Sequence, residues 1–280
     1  MAAGSDPSDG SRSPEGVRVG TCGYQWYDPP EGWKDEYESK LHAYSADPAF
    51  DLVELNRTFY ELPQVSTAER WRREVVENFE FAVKGWQALT HEWASPTWNT
   101  HREGVEDDPD VDTDEVGSLR PNPTVHEAWG RTKARADALD ANVVLLQLPP
   151  SFGTNEATVD AMRELLSEVD REGLTVAWEP RGDWHDEPDH VADVCDDLDL
   201  VHVVDPLRDE PVSDHPTAYL RLHGLNDERY DYAYDYSDAE LRELHERVEV
   251  LSESHETVYV LFNNDAMYEN ARRFQELLAA

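Results

Sequence analysis

Eight short apolar runs, most of them followed by a stretch with helical periodicity, constrain this chain more than any other feature. The runs are VRVG (17–20), DLVEL (51–55), FEFAVK (79–84), VVLLQL (143–148), LTVAWE (174–179), LVHVVD (200–205), AYLRLHG (218–224) and TVYVLFNN (257–264). Each is too short for a buried helix and reads as a strand. Helical patterns fill 34–46, 65–77, 124–140, 156–171, 188–198, 237–252 and 266–278. Strands separated by helices pair in parallel, because the crossover returns the chain to the same end of the sheet. Eight such units predict an α/β fold, a TIM-barrel-like parallel β/α barrel, with the open doubly wound sheet as the alternative. No GxGxxG or Walker loop follows a strand, which weighs against a nucleotide-binding open sheet. Only Pro206 to Pro216 separate the sixth and seventh runs, too few residues for a full helix, so the barrel is expected to be irregular there.

Residues 1–16 hold Gly, Ser, Pro and Asp without an aromatic side chain and read as a disordered acidic leader, leaving 17–280 as a single barrel domain. One segment breaks the rhythm. His91 to Pro123 contains Glu103, Glu106, Asp107, Asp108, Asp110, Asp112, Asp114 and Glu115 and is expected to be an acidic loop insertion at about 92–123, solvated and separable from the core. Its acids lack the alternation and turn glycine of a hard-cation loop.

Asp and Glu number 61 against 24 Lys and Arg, a net charge of -37. Such a surface repels itself in dilute buffer and is screened near molar salt, where the Debye length is about 3 Å, so it suits a salt-filled cytoplasm. It argues against broad nucleic-acid binding, which needs basic patches for counterion release. With 9 Trp, 12 Tyr and 7 Phe, the low mean hydropathy of -0.73 reflects the surface rather than disorder. No run approaches a membrane span and the N-terminal residues lack a signal peptide's apolar stretch, which predicts a cytoplasmic protein without membrane attachment. Cys22 and Cys195 are far apart and outside any CxxC spacing, so neither a disulfide framework nor a structural zinc site is expected.

Side chains alternate along a strand, which places Glu54 and Asn56 on one face and Val53 and Leu55 on the other. The same parity groups Lys84 with Ala82, Gln147 with Leu145, Glu179 with Ala177, Asp205 with Val203, and Arg221 and His223 with Tyr219. In a parallel barrel all these polar ends meet at the C-terminal mouth, where barrel enzymes carry their chemistry. Such ends could also form only an ion-pair network, since buried charges must be paired. The candidate catalytic residues are Glu179, Asp205 and His223. The candidate substrate-binding residues are Tyr24, Trp26, Asn56, Tyr60, Lys84, Gln147, Arg181, Trp184, Arg221 and Asn263, the aromatic ones as walls of a cleft.

At GTCGYQW (20–26), VELNRTFYELP (53–63) and FAVKGWQALTH (81–91) the chain resembles the YecE-like family, a domain of unknown function (72) with a TIM-barrel-like structure. LLQLPPSF (145–152), EPRGDW (179–184), YLRLHG (219–224) and VLFNND (260–265) follow in the family's order, so the resemblance covers essentially 17–278. It implies the barrel and no reaction. Cys22 stands where the family usually has Ser, and Tyr24 and Pro180 replace its usual aromatic types, so the resemblance does not imply a Cys22 nucleophile.

Two functional classes follow. The first is an enzyme acting by acid/base chemistry of hydrolase or lyase type on a small anionic or polar substrate, with Arg221 and Lys84 holding its charge. Within it, paired carboxylates would also suit glycoside hydrolysis, Glu179, Asp205 and His223 could ligate a divalent ion, and Lys84 could form a Schiff base. The second is a non-catalytic binding module for a nucleotide or single-stranded nucleic acid, with aromatic side chains stacking around Arg181 and Arg221. No cofactor is indicated.

Overall fold

The computed structural model describes residues 16–280; apart from Gly16, the leader expected over 1–16 lies outside them. The eight apolar runs form β1 (Val17–Thr21), β2 (Leu52–Leu55), β3 (Glu80–Lys84), β4 (Val143–Gln147), β5 (Thr175–Glu179), β6 (Leu200–Val204), β7 (Thr217–Leu222) and β8 (Thr257–Phe262). All neighbours pair in parallel, and β1 bonds to both β2 and β8, closing the barrel. The open sheet is excluded by that closure.

Strand parity separates two apolar clusters. Leu52, Ala82, Val143, Leu145, Ala177, Val201, Val203, Tyr219, Tyr259 and Leu261 fill the interior. Their sequence neighbours, among them Val53, Val83, Val144, Leu146, Trp178, Leu220 and Val260, face outward and pack with the helices. Burial on both faces explains why the strands read as nearly continuous apolar runs.

The outer helices include Val65–Glu74, Pro123–Leu139, Glu156–Glu168, Pro188–Leu198, Asp238–Ser252 and Met267–Leu278. The pattern over 34–46 splits into a single turn, Trp33–Glu36, and a helix at Lys40–Ala46. The Ser39 side chain accepts the His42 amide hydrogen and so starts a new helix inside what reads as one period. Residues 205–216 hold no helix, as their length requires; the Asp205 carboxylate caps the turn by accepting the Leu207 amide at 3.1 Å. Among the described residues, no helix is long and apolar enough to cross a membrane. Cys22 and Cys195 are free and buried.

The acidic insertion differs from expectation. Glu106, Asp107, Asp110, Asp112, Asp114 and Glu115 are exposed, but Asp108 pairs with Arg131, and Trp98, Val111, Val116 and Leu119 are buried in the outer core. The Gly117 and Leu119 amides donate to the carbonyls of Ala88 and Leu89, at 2.8 and 2.9 Å. Scattered apolar anchors without a period therefore tie the segment down. It is not a separable solvated loop, and Ser95, Pro96 and Thr97 from it become a wall of the barrel mouth.

Candidate functional site

Parity brings Glu54, Lys84, Gln147, Glu179, Arg221 and His223 to the C-terminal end of the barrel. The floor is built on Arg221, which is 0% exposed. Its Nε and Nη2 donate to Glu54 Oε2 and Oε1 at 3.0 and 2.7 Å, and Nη2 also reaches Cys22 Sγ at 3.7 Å. Nη1 donates to Glu179 Oε2 and to His223 Nε2, the latter at 3.0 Å. Those five contacts occupy all five donors of the guanidinium. Tyr219 adds a hydroxyl bond to Glu54 Oε2 at 2.9 Å. Glu179 Oε1 accepts from Arg181 Nε and Nη2 at 2.8 and 2.6 Å, and the Arg181 guanidinium lies 3.7 Å from the centre of the Tyr230 ring.

Above this floor opens a cavity of about 950 Å³ lined by Asn56, Tyr60, Lys84, Gln147, Arg181 and Asn263 together with Cys22, Phe59, His91 and Tyr232. A separate cavity of about 240 Å³ holds Asp205, His223, Glu179, Trp184 and Tyr230. The candidate residues thus divide. Six of the substrate-binding set share the larger cavity, whereas Asp205 and His223 face the smaller one. Arg221 lies beneath both with no donor left, so it cannot hold a ligand's charge as expected from the sequence.

The aromatic walls need a larger correction. Trp26 is 86% exposed on the loop after β1 and lines neither cavity. Tyr24 is half-buried, packed against the outer core with its ring 6.3 Å from that of Tyr44, and also lines neither. Trp184 is a core residue whose Nε1 donates to the Phe152 carbonyl at 2.9 Å, and it meets only the smaller cavity. Position beyond a strand end does not say whether the loop folds inward. Tyr60 alone of the four does so. Glu54 lies outside the sequence-derived site set although parity puts it on the Asn56 face; a lone acid in LVEL was the signal. His91 and Tyr232 come from loops and left no signal.

The electrostatics redistribute the chemical roles. Burial would raise the Glu179 carboxyl, but the Arg221 and Arg181 charges override it and hold the group well below the usual carboxylate range. It is a permanent anion and a poor proton shuttle. Burial lowers His223 to about 3, with Glu179 pulling back and Arg221 and Arg181 pushing further down, so the ring is neutral and its Nε2 is already an acceptor. Burial raises Asp205 to about 6, opposed by the backbone amides of Leu207 and His223. Burial and the Glu54 charge push the Cys22 thiol well up, which removes it as a nucleophile. Lys84 behaves differently. Burial, then the Arg221 charge, lower it to about 7 against the pull of Glu54 and Glu179.

A lysine whose folded value lies below its ordinary value binds fewer protons folded than unfolded, so it costs stability below about pH 7 and that cost vanishes as pH climbs to the ordinary lysine range. Lys84→Met should therefore gain most over the wild type at pH 6 to 7 and lose that gain by about pH 10. Denaturant melts of the two proteins across this range measure it. A pH-independent difference would place the amine in an ordinary solvated setting.

Among the described residues, no three His, Cys, Asp or Glu side chains are grouped to hold a metal ion.

Comparison with known proteins adds lineage. Residues 18–280 match the family model described as "Protein of unknown function DUF72". The UPF0759 protein YunF of Bacillus subtilis (strain 168) is 23% identical over 292 residues, 94% of each chain. The crystal structure of a DUF72 family protein from Enterococcus faecalis superposes with a TM-score of 0.69 at 20% identity, covering 96% of this chain and 100% of that one. One from Thermotoga maritima gives 0.64 at 25% identity, covering 94% and 99%.

Proposed function

Because the chain belongs to the DUF72 family, whose model spans the whole barrel and brings no reaction with it, we propose that the C-terminal mouth is the active site of an enzyme for a small anionic or polar substrate. The observation that carries the reading is Lys84. Its Nζ sits 4.3 Å from the Phe59 ring centre, with no hydrogen bond or ion pair among the described residues, on the lining of the large cavity. On the floor, Glu54 and Glu179 are matched by Arg221 and Arg181, so a protonated Lys84 is a positive charge in excess there, while the exposed Glu92 and Asp265 line the same cavity. Arg181 Nη1 has no partner among the described residues and supplies a second donor.

Acid/base chemistry falls to Lys84 rather than to Glu179, Asp205 or His223. It is the large cavity's group that exchanges a proton near neutrality, where a general acid or base is most effective. Asn56, Gln147 and Asn263 offer neutral polar contacts on the same lining. The volume suits a small molecule. The acidic surface, with the exposed Glu92 and Asp265 on the cavity lining, favours this over a nucleic-acid module.

Inorganic phosphate, titrated in molar KCl and followed by thermal shift, tests the charge. Lys84→Gln removes a charge-assisted contact of about 1.5–3 kcal/mol and should weaken phosphate roughly ten- to a hundredfold. Equal stabilisation of both proteins by phosphate would move the anion site elsewhere.

A further inference from the structure

The four lysines are Lys34, Lys40, Lys84 and Lys133, and Lys84 alone is buried, at 6% exposure. Buried lysines ordinarily pair with a carboxylate or extend to water. Here two carboxylates share the floor with the amine, and arginines occupy both: Glu54 takes Arg221 in bidentate fashion, and Glu179 takes Arg221 and Arg181. The amine is left bare against an aromatic face while the cavity above it is open. A lysine there to balance charge would have taken one of those carboxylates. An amine withheld from them keeps its lone pair for a ligand, the arrangement of a nucleophilic lysine set in an apolar pocket beside other cations.

We infer that Lys84 forms a Schiff base with a small aldehyde or ketone bearing an anionic group, the anion resting on the unpartnered Nη1 of Arg181. The inference rests on the mouth being a small-molecule site, and it selects lyase-type over hydrolase-type chemistry. The neutral amine attacks the carbonyl carbon, forming the C–N bond while the C=O π pair moves to oxygen. The proton lost from nitrogen completes the hydroxyl of a carbinolamine. That hydroxyl leaves as water, taking a proton from solvent in the open mouth, as the nitrogen lone pair forms the C=N bond. No oxidant or reductant takes part. The resulting iminium draws electrons from the adjacent carbon, which is what a lyase needs for bond cleavage there.

Glyoxylate with cyanoborohydride, applied to the full chain at pH 7 in molar KCl, reduces any such imine and marks the lysine, and peptide mapping compares all four sites in one sample. Lys84 should be modified at least about tenfold faster than exposed Lys34, because it is substantially neutral at pH 7 while an ordinary lysine is not. Excess inorganic phosphate should slow Lys84 and spare Lys34. Modification that follows exposure, with Lys34 ahead, overturns the covalent step; if phosphate still stabilises the wild type and not Lys84→Gln, the anion site itself stands. Loss of both the selectivity and the phosphate effect overturns the reading of the mouth together with this inference. No variant needs to fold for the trapping measurement.

Discussion

Arg221→Met is expected to destabilise the protein by about 3–5 kcal/mol, the loss typical when one partner of a buried ion pair is removed and the other charge stays behind. The size follows from the contacts. Glu54 and Arg221 are both fully buried, and Arg221 is the cation shared by Glu54 and Glu179. Glu179 keeps Arg181, whereas Glu54 keeps the neutral Tyr219 hydroxyl and Cys22 thiol but no cation. At roughly 2–4 °C per kcal/mol, the midpoint should drop by on the order of 10 °C. Adding Glu54→Gln should recover part of the loss, since it removes the stranded charge, and the double-mutant cycle reads that coupling. A single-variant loss under about 1 kcal/mol, the scale of an exposed pair, would mean that water reaches the floor. Anion affinity is not the primary readout for Arg221, because its donors are consumed within the protein.

Thermal stability should climb steeply between dilute buffer and molar KCl, by several kcal/mol, again on the order of 10 °C for a chain of this length. Two electrostatic effects compete. Exposed pairs such as Arg57–Glu61, Arg163–Asp197 and Arg247–Glu210 weaken with salt, but each is worth only about 0.2–1 kcal/mol. Against them stands the repulsion of 61 acids by one another with 24 bases to offset it, screened as the Debye length falls from about 10 Å at 0.1 M to about 3 Å at 1 M. The excess is larger, so screening stabilises. The buried Arg221 cluster is shielded from ions and contributes little to this slope. Melting in matched buffers of rising KCl checks it, and a flat midpoint would mean the acidic surface serves some purpose other than tolerance of salt.

Much of the candidate site was legible in single strands. Parity along LVEL, EFAVK, VVLLQ and TVAWE places Glu54, Lys84, Gln147 and Glu179 inside the barrel, because a strand's period of two is local geometry. Once eight such strands close in parallel, their C-terminal ends must share one mouth. Which groups in that mouth pair with one another is not a local property. Arg221 reads as a ligand-holding cation until its donors are traced to Glu54, Glu179, His223 and Cys22, which come from four other positions in the chain. The aromatic walls fail for a related reason, since a loop's direction depends on what it packs against: Trp26 turns to solvent, Trp184 into the core, and Tyr60 into the cavity.

The amino-acid sequence by itself determined the barrel, its irregular crossover between β6 and β7, and the face on which each strand-borne polar side chain lies, since periodicity and loop length are read along the chain. Only the tertiary structure decided that Asp205 and His223 belong to a different cavity from Lys84, and that the Lys84 amine makes no ion pair with the described residues of the mouth. Charge pairing depends on distances between residues far apart in sequence, and arginine, with five donors in a rigid fork, outcompetes lysine for two carboxylates at once.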